Sequence, residues 1–183
     1  SGGHTQLVIV NDYNDFKKIG NTLDDAAGEA FDKTSKFLGL GYPGGPIIDN
    51  LSKKGKPIFK FGKPKIKNYD FSFSGLKTSI IYFIKNRLEK NSNFIKNNIN
   101  DLCSSIQHSI VEILVQKTIK CAIDNNLKHI CIVGGVSANS HLRYKLNAEC
   151  LNNDFDLFYP KINYCTMGIE STLIIILLLI YIF

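Results

Sequence analysis

The sequence has no tryptophan and a single methionine, Met167. It has no CxxC pair, no two histidines at helical spacing, and no uninterrupted apolar run of the roughly 20 residues that a membrane-spanning helix needs. Each absence removes a class. His4, His108, His129 and His141 stand too far apart along the chain to form a helical zinc pair, so metal binding by these alone is not expected. Cys103, Cys121, Cys131, Cys150 and Cys165 are odd in number and unpaired in spacing, which argues against a disulfide framework and fits a reducing cytoplasm. Cys103, Cys121 and Cys131 fall in apolar patterns and read as buried free thiols. No signal peptide is visible. The opening, Ser1-Gly2-Gly3-His4, is a turn with no strand before it and reads as a truncated start.

What is present is a chain of 183 residues, enough for one domain with a real core. Hydrophobic residues make up 44% and charged residues 21%, which excludes a disordered chain. The net charge of +6 is compatible with a nucleic-acid partner without requiring one, and the lysines of 53–67 and 77–96 also fit solvated faces. Strand and helix patterns alternate, so the expected class is α/β. Strands are expected at Leu7–Val10, Ile130–Val133 and Leu157–Tyr159, with a half-buried one at Phe71–Ser74 and an edge strand near Ile58–Phe61. Helices are expected from a Thr22 cap to about Leu38, from Gly75 through Leu88, from Ile99 to Asn125, and from a Ser137 cap to about Cys150. Asn11–Asn14 and Gly41–Pro46 read as turns, and Asn91–Asn98 as a polar break. The last eleven residues, Leu173–Phe183, are all apolar, too short to span a bilayer and strand-prone.

The most informative local signal is Ile130–Asn139. A buried strand delivers Gly134-Gly135 and a helix follows at once. Glycines admit a ligand close to the backbone, and a helix N-terminus offers unpaired N–H groups and a positive dipole end. Asn139, in the first turn, carries both a donor and an acceptor. Asp25, Glu29 and Asp32 share one helix face by spacing; the helix dipole accounts for Asp25 but not for Asp32, more than two turns in. Gly44-Gly45 followed by Asp49 gives a backbone platform with an acceptor for ribose hydroxyls. Lys77, just after Ser74-Gly75, fits either a phosphate contact or a solvent-facing cation.

The segments SGGHTQL, TLDDAAGEAFDK, GLGYPGGP, FSFSGLK, DLCSSIQHSIVE and VGGVSANS resemble, in order and spacing, the tRNA threonylcarbamoyl-adenosine synthases, or tRNA N6-adenosine threonylcarbamoyltransferases, once described as O-sialoglycoprotein endopeptidases. The resemblance covers residues 1 to about 166. It implies a ribonuclease H-like lobe of the two-lobed actin/Hsp70/sugar-kinase fold. It implies transfer of a threonylcarbamoyl group from threonylcarbamoyl-adenylate to N6 of adenosine 37 in tRNAs reading codons that start with A. The implied partners are tRNA, a paralogous inactive subunit and a small ATPase, in the cytoplasm. By motif, Ser1, Gly2 and Gly3 match the loop that holds the adenylate, and Asp32, Gly45, Asp49 and Asn139 match further ligand-binding positions, with Gly134 and Gly135 as the supporting loop.

Two departures bear on chemistry. The family's iron or zinc is held by a histidine pair upstream of the SGGH loop and by an aspartate after a Cys-Thr pair. The pair would lie before Ser1, and Cys165-Thr166 is followed by Met167-Gly168. No ligand of that metal is therefore expected in this chain. Residues 167–183 read as a non-family tail of frameshift origin, with a membrane anchor as the alternative. A catalytically inactive, adenylate-binding remnant is the alternative to a fragment of a working enzyme.

Overall fold

A computed structural model describes residues 3–165 and 173–178; Ser1 and Gly2 lie outside it. The first strand, β1 (Thr5–Asp12), buries Thr5, Leu7 and Ile9 on alternate positions, as a pleated strand with one core face must. It turns through Tyr13-Asn14 and returns as β2 (Asp15–Asn21), antiparallel to β1. The pattern reading did not include β2. Its residues Asp15 to Lys18 are exposed, so it is an edge strand without an apolar stripe, and its lysines suit an unpaired edge.

The first helix, α1, runs Ala27–Phe37, not from Thr22. The Thr22 hydroxyl instead donates to the Asp25 carbonyl in the preceding turn, and Glu29 reaches back to accept the Ala26 N–H at 3.1 Å. Leu23, expected on the apolar face, is exposed. The expected turn at Gly41–Pro46 leads directly into a helix, α2 (Gly44–Ser52). Pro46 is tolerated there because the first turn has no intrahelical use for its missing N–H. Gly44 lets α2 approach α1 closely: a Cβ there would stand 2.6 Å from the Phe31 carbonyl oxygen.

Residues 53–73 form a strap, with no strand at 58–61. Its backbone donors go to helix side chains rather than to a ladder: Lys56 N–H to Asp101 (2.8 Å), Phe59 N–H to Ser105 (3.1 Å) and Gly62 N–H to Ser79 (2.8 Å). Phe59 and Phe61 anchor the strap against Phe83 and Phe94. The expected strand at Phe71–Ser74 reduces to one parallel bridge between Thr22 and Phe71.

Next come α3 (Ser74–Leu88) and α4 (Phe94–Asp124), the latter kinked at Asn98 so that the expected polar break is mostly helical. α4 buries Leu102, Ile106, Ile110 and Leu114, each fully removed from water and contributing about 1.5–3 kcal/mol. Ile123, expected on that stripe, is exposed. The strand β3 (His129–Val133) leads through Gly134 and a 3-10 turn (Gly135–Ala138) into α5 (Ser140–Asn153), then β4 (Asp156–Phe158) and a short α6 (Ile162–Cys165). Gly134 has φ +93°, which a side chain would disfavour. The cap of α5 is Asn139, not Ser137, which lies inside the 3-10 turn.

The last described strand, β5 (Leu173–Leu178), belongs to the apolar tail and takes the centre of a five-stranded sheet of order β2-β1-β5-β3-β4. It runs parallel to β1 and antiparallel to β3. The result is a mixed α/β fold with α2 and α4 packed together beside the β3–α5 turn.

Candidate functional site

The N-terminal part of α2, the middle of α1 and the 3-10 turn after β3 surround a cavity of about 500 Å³. Asp32, Gly45, Asp49, Gly135 and Asn139, five of the residues singled out in the sequence, line it together with Lys53. They come from three separate stretches of chain, so convergence on one cavity is a property of the fold, not of local sequence.

The polar groups are already partly committed. Asp32 accepts the Gly44 N–H at 2.7 Å. Its carboxylate therefore sits at the N-terminus of α2, where the helix dipole favours a negative charge. That accounts for the acid its own helix left unexplained. Asp49 accepts the Ser140 hydroxyl at 2.7 Å and pairs with Lys53 at 3.4 Å, tying α2 to α5. A carboxylate has about four acceptor positions, so capacity remains for a ligand hydroxyl. Asn139 caps α5 by accepting the Leu142 N–H at 2.9 Å, and donates to Gln107 at 2.7 Å. Gln107, buried on α4, in turn donates to Ser52 at 2.7 Å. The sequence reading passed over Gln107, because a lone glutamine on an apolar helix carries no motif.

Gly45 differs from these. A Cβ there would meet nothing within 4 Å, so its place in the cavity wall is open space. Lys53 is the one cation among the described lining residues, and its side chain is 58% exposed.

Other expected site residues lie elsewhere. Gly3 is not in the cavity wall; a Cβ there would come within 2.8 Å of the Glu29 carboxylate. Gly134 supports the turn from behind through its carbonyl, which accepts the Ser137 hydroxyl at 2.6 Å. Asp25, Glu29 and Asp32 do not form one carboxylate cluster. Asp25 pairs with Lys33 and, at 2.6 Å, with Lys77. Burial raises its pKa, but the two ammonium groups together hold it below the ordinary carboxylate value. Lys77 is thus an internal partner of Asp25, neither a free phosphate ligand nor a solvated cation. Asp24 caps α3, accepting the Phe73 N–H (2.7 Å) and the Ser74 N–H (3.1 Å), a role the sequence spacing did not reveal.

Of the five free cysteines, Cys103, Cys121, Cys150 and Cys165 are buried and Cys131 is half-buried. Burial pushes the Cys103 and Cys121 thiols up to about 12, which makes them inert. Cys165 lies beside the 3-10 turn, 3.3 Å from both the Ser137 hydroxyl and the Arg143 guanidinium. His108 and His141, far apart in sequence, bring their rings to 5.8 Å. No group of three His, Cys, Asp or Glu among the described residues could hold a metal ion. No helix among them is long and apolar enough to cross a membrane.

Comparison with known proteins gives this geometry a family. The model of the tRNA N6-adenosine threonylcarbamoyltransferases matches residues 1–169. A protein of that name from Riemerella anatipestifer is 52% identical over 167 residues, covering 91% of this chain and 49% of the relative. Namesakes from Fervidobacterium nodosum (50% over 171 residues) and Cytophaga hutchinsonii (44% over 167 residues) cover 91% of the chain as well. The chain spans about half the length of the curated relatives it matches. On the match across 1–169 and these identities, the chain belongs to the tRNA N6-adenosine threonylcarbamoyltransferase family.

Proposed function

We propose that residues 1–166 are the nucleotide-holding C-terminal lobe of a transferase that moves a threonylcarbamoyl group from threonylcarbamoyl-adenylate to N6 of adenosine 37 of tRNA. The observation that carries this reading is the convergence of Asp32, Gly45, Asp49, Gly135 and Asn139 on one cavity of about 500 Å³. That volume suits a nucleotide-sized ligand, and its wall is largely apolar with few polar groups, as ligand sites commonly are. An adenine ring would lie against the open backbone at Gly45. The ribose hydroxyls would donate to Asp49, and the phosphate would face Lys53 and the Gly135 turn. The lobe is read as ribonuclease H-like, one half of an actin/Hsp70/sugar-kinase arrangement. With it come tRNA, a paralogous inactive subunit and a small ATPase as partners, and a cytoplasmic setting.

The iron or zinc implied by the resemblance does not fit the described residues, which offer no three-ligand group. In this reading the chain's own residues bind and orient the adenylate.

The test is calorimetric titration of AMP. Asn139→Ala is an impure probe, because loss of the α5 cap by itself costs about 1 kcal/mol of stability. Gly45→Val is cleaner: the added side chain enters open space and leaves the core untouched. We expect AMP affinity to fall by about tenfold or more, equivalent to 1.4 kcal/mol, with the thermal midpoint held. Equal affinity for Gly45→Val and the unmodified chain would refute the placement.

A further inference from the structure

From Asn50 to Tyr69 the sequence carries seven lysines and no acidic residue. Most of this stretch is the strap, which runs alongside α4 in the same chain direction. The Lys56 N–H bonds Asp101, the Phe59 N–H bonds Ser105, Lys63 pairs with Glu112, and the Lys117 ammonium donates to the carbonyls of Ile66 and Asn68. From Asp101 to Lys117 a helix rises about 24 Å, and the strap is pinned at intervals over that length.

The pinning decides which side chains face water. Phe61 is buried, and Phe59, Pro64 and Ile66 are half-buried. Lys54, Lys56, Lys60, Lys65 and Lys67 are exposed. Lys53 and Lys63 have carboxylate partners, whereas the other five have none among the described residues. Like charges held in a row repel one another, and a polyanion laid along the row removes that cost. The row also leads to the site, because Lys53, at its start, lines the nucleotide cavity. A phosphodiester strand is a polyanion that can lie on such a row while presenting one of its bases at the cavity mouth, and lysine serves phosphates as a point charge.

We propose that the 53–67 strap is a track for the backbone of the RNA substrate, with Lys54, Lys56, Lys60, Lys65 and Lys67 meeting its phosphates and the strand leading to the cavity at Lys53. The identity of the partner rests on the reading of the chain as a tRNA-modifying transferase. The location of the track rests on the strap itself.

The test is fluorescence anisotropy of a labelled tRNA anticodon stem-loop with the full-length chain, over a series of salt concentrations. The strap variant carries Lys56→Gln, Lys60→Gln, Lys65→Gln and Lys67→Gln. A control variant loses the same charge elsewhere, through Lys17→Gln, Lys18→Gln, Lys85→Gln and Lys90→Gln, all exposed positions off the strap. Each lost phosphate contact flattens the slope of log affinity against log salt by about 0.7–0.9, so the strap variant should lose about 3. The control should lose less than about 1. Flattening in the strap variant no greater than in the control overturns the proposal, as does failure of the unmodified chain to bind the RNA. Tighter binding to a polyglutamate of equal charge overturns RNA as the partner in favour of an acidic protein segment. AMP titration of the same samples separates the two readings. Neither variant touches the cavity wall, so AMP affinity should hold in both. Slopes that separate while the unmodified chain binds no AMP sink the nucleotide site and leave the track, and AMP binding with slopes that do not separate has the opposite meaning.

Discussion

Asn139, expected in the first turn of a helix capped by Ser137, is itself the cap of α5. Position and residue type located it at the mouth of a strand–turn–helix unit, and the fold brings it to the cavity wall. Its amide oxygen, however, caps α5, and its NH2 group is held by Gln107. Asp32 is similar: nothing in its own helix calls for an acid there, and the partner that does, the Gly44 N–H, lies twelve residues away on the next helix. Spacing along one element cannot reveal a bond made between elements. Gln107 is the sharper case, since it fixes Asn139 from a helix whose sequence reads only as apolar. Gln107→Leu leaves the Asn139 amide without its acceptor in a buried place. We expect the chain to lose about 1–3 kcal/mol of unfolding free energy, to expose the Leu142 amide to faster exchange, and to bind AMP more weakly. Gln107→Glu, which retains an acceptor for Asn139, should recover most of the Leu142 protection. If Gln107→Leu leaves melting, exchange and affinity unchanged, the Ser52–Gln107–Asn139 chain does not hold the site.

Elements with a clear apolar period were legible: β1, β3, β4, α3, α4 and α5 all form within a few residues of their expected spans. Those missed lack that signal for identifiable reasons. β2 is an exposed edge strand, α2 begins on Gly-Gly-Pro, which reads as a turn, and the 53–73 strap donates its backbone hydrogen bonds to helix side chains. Packing of α4 on α5 also creates a feature with no sequence signature, the His108–His141 pair. Burial is the largest influence on both and holds each below the ordinary histidine value of 6.5. Glu112 pulls His108 upward, Lys145 and Lys63 push it down, and His141 is lowered further by His108 and Lys145 against a weaker pull from Asp49. The unfolded chain therefore takes up protons on these rings at higher pH than the folded one. Stability is complete above about pH 6.5 and falls as the pH drops from there through the folded-state values. Thermal midpoints should hold above about pH 6.5 and decline as the pH falls below it, and the double variant His108→Gln, His141→Gln should show a flatter profile. An identical slope in that variant would assign the decline to other groups.

At the scale of the whole molecule, the chain holds a nucleotide-sized cavity within about half the length of its relatives. Binding and transfer make different demands. Holding an adenylate needs shape, a few hydrogen bonds and one cation, which Asp49, the Gly135 turn and Lys53 can supply. Attack of an amine on the threonylcarbamoyl carbonyl also needs its developing oxyanion stabilised in a preorganised, dry place. Lys53 is poorly suited to that: its ammonium is largely exposed and already paired with Asp49. No other cation lines the cavity among the described residues. The Gly135 turn sits directly after β3, whose ladder to the rest of the sheet runs through β5. The chain of 183 residues should therefore bind AMP but form no threonylcarbamoyl-adenosine when given threonylcarbamoyl-adenylate, tRNA and the partner proteins. Mass spectrometry of nucleosides from the digested tRNA reads the outcome. Modified adenosine above the enzyme-free background would show that this half of the protein supplies an oxyanion stabiliser of its own, and would turn the search to Lys53, whose replacement by methionine should then abolish the product.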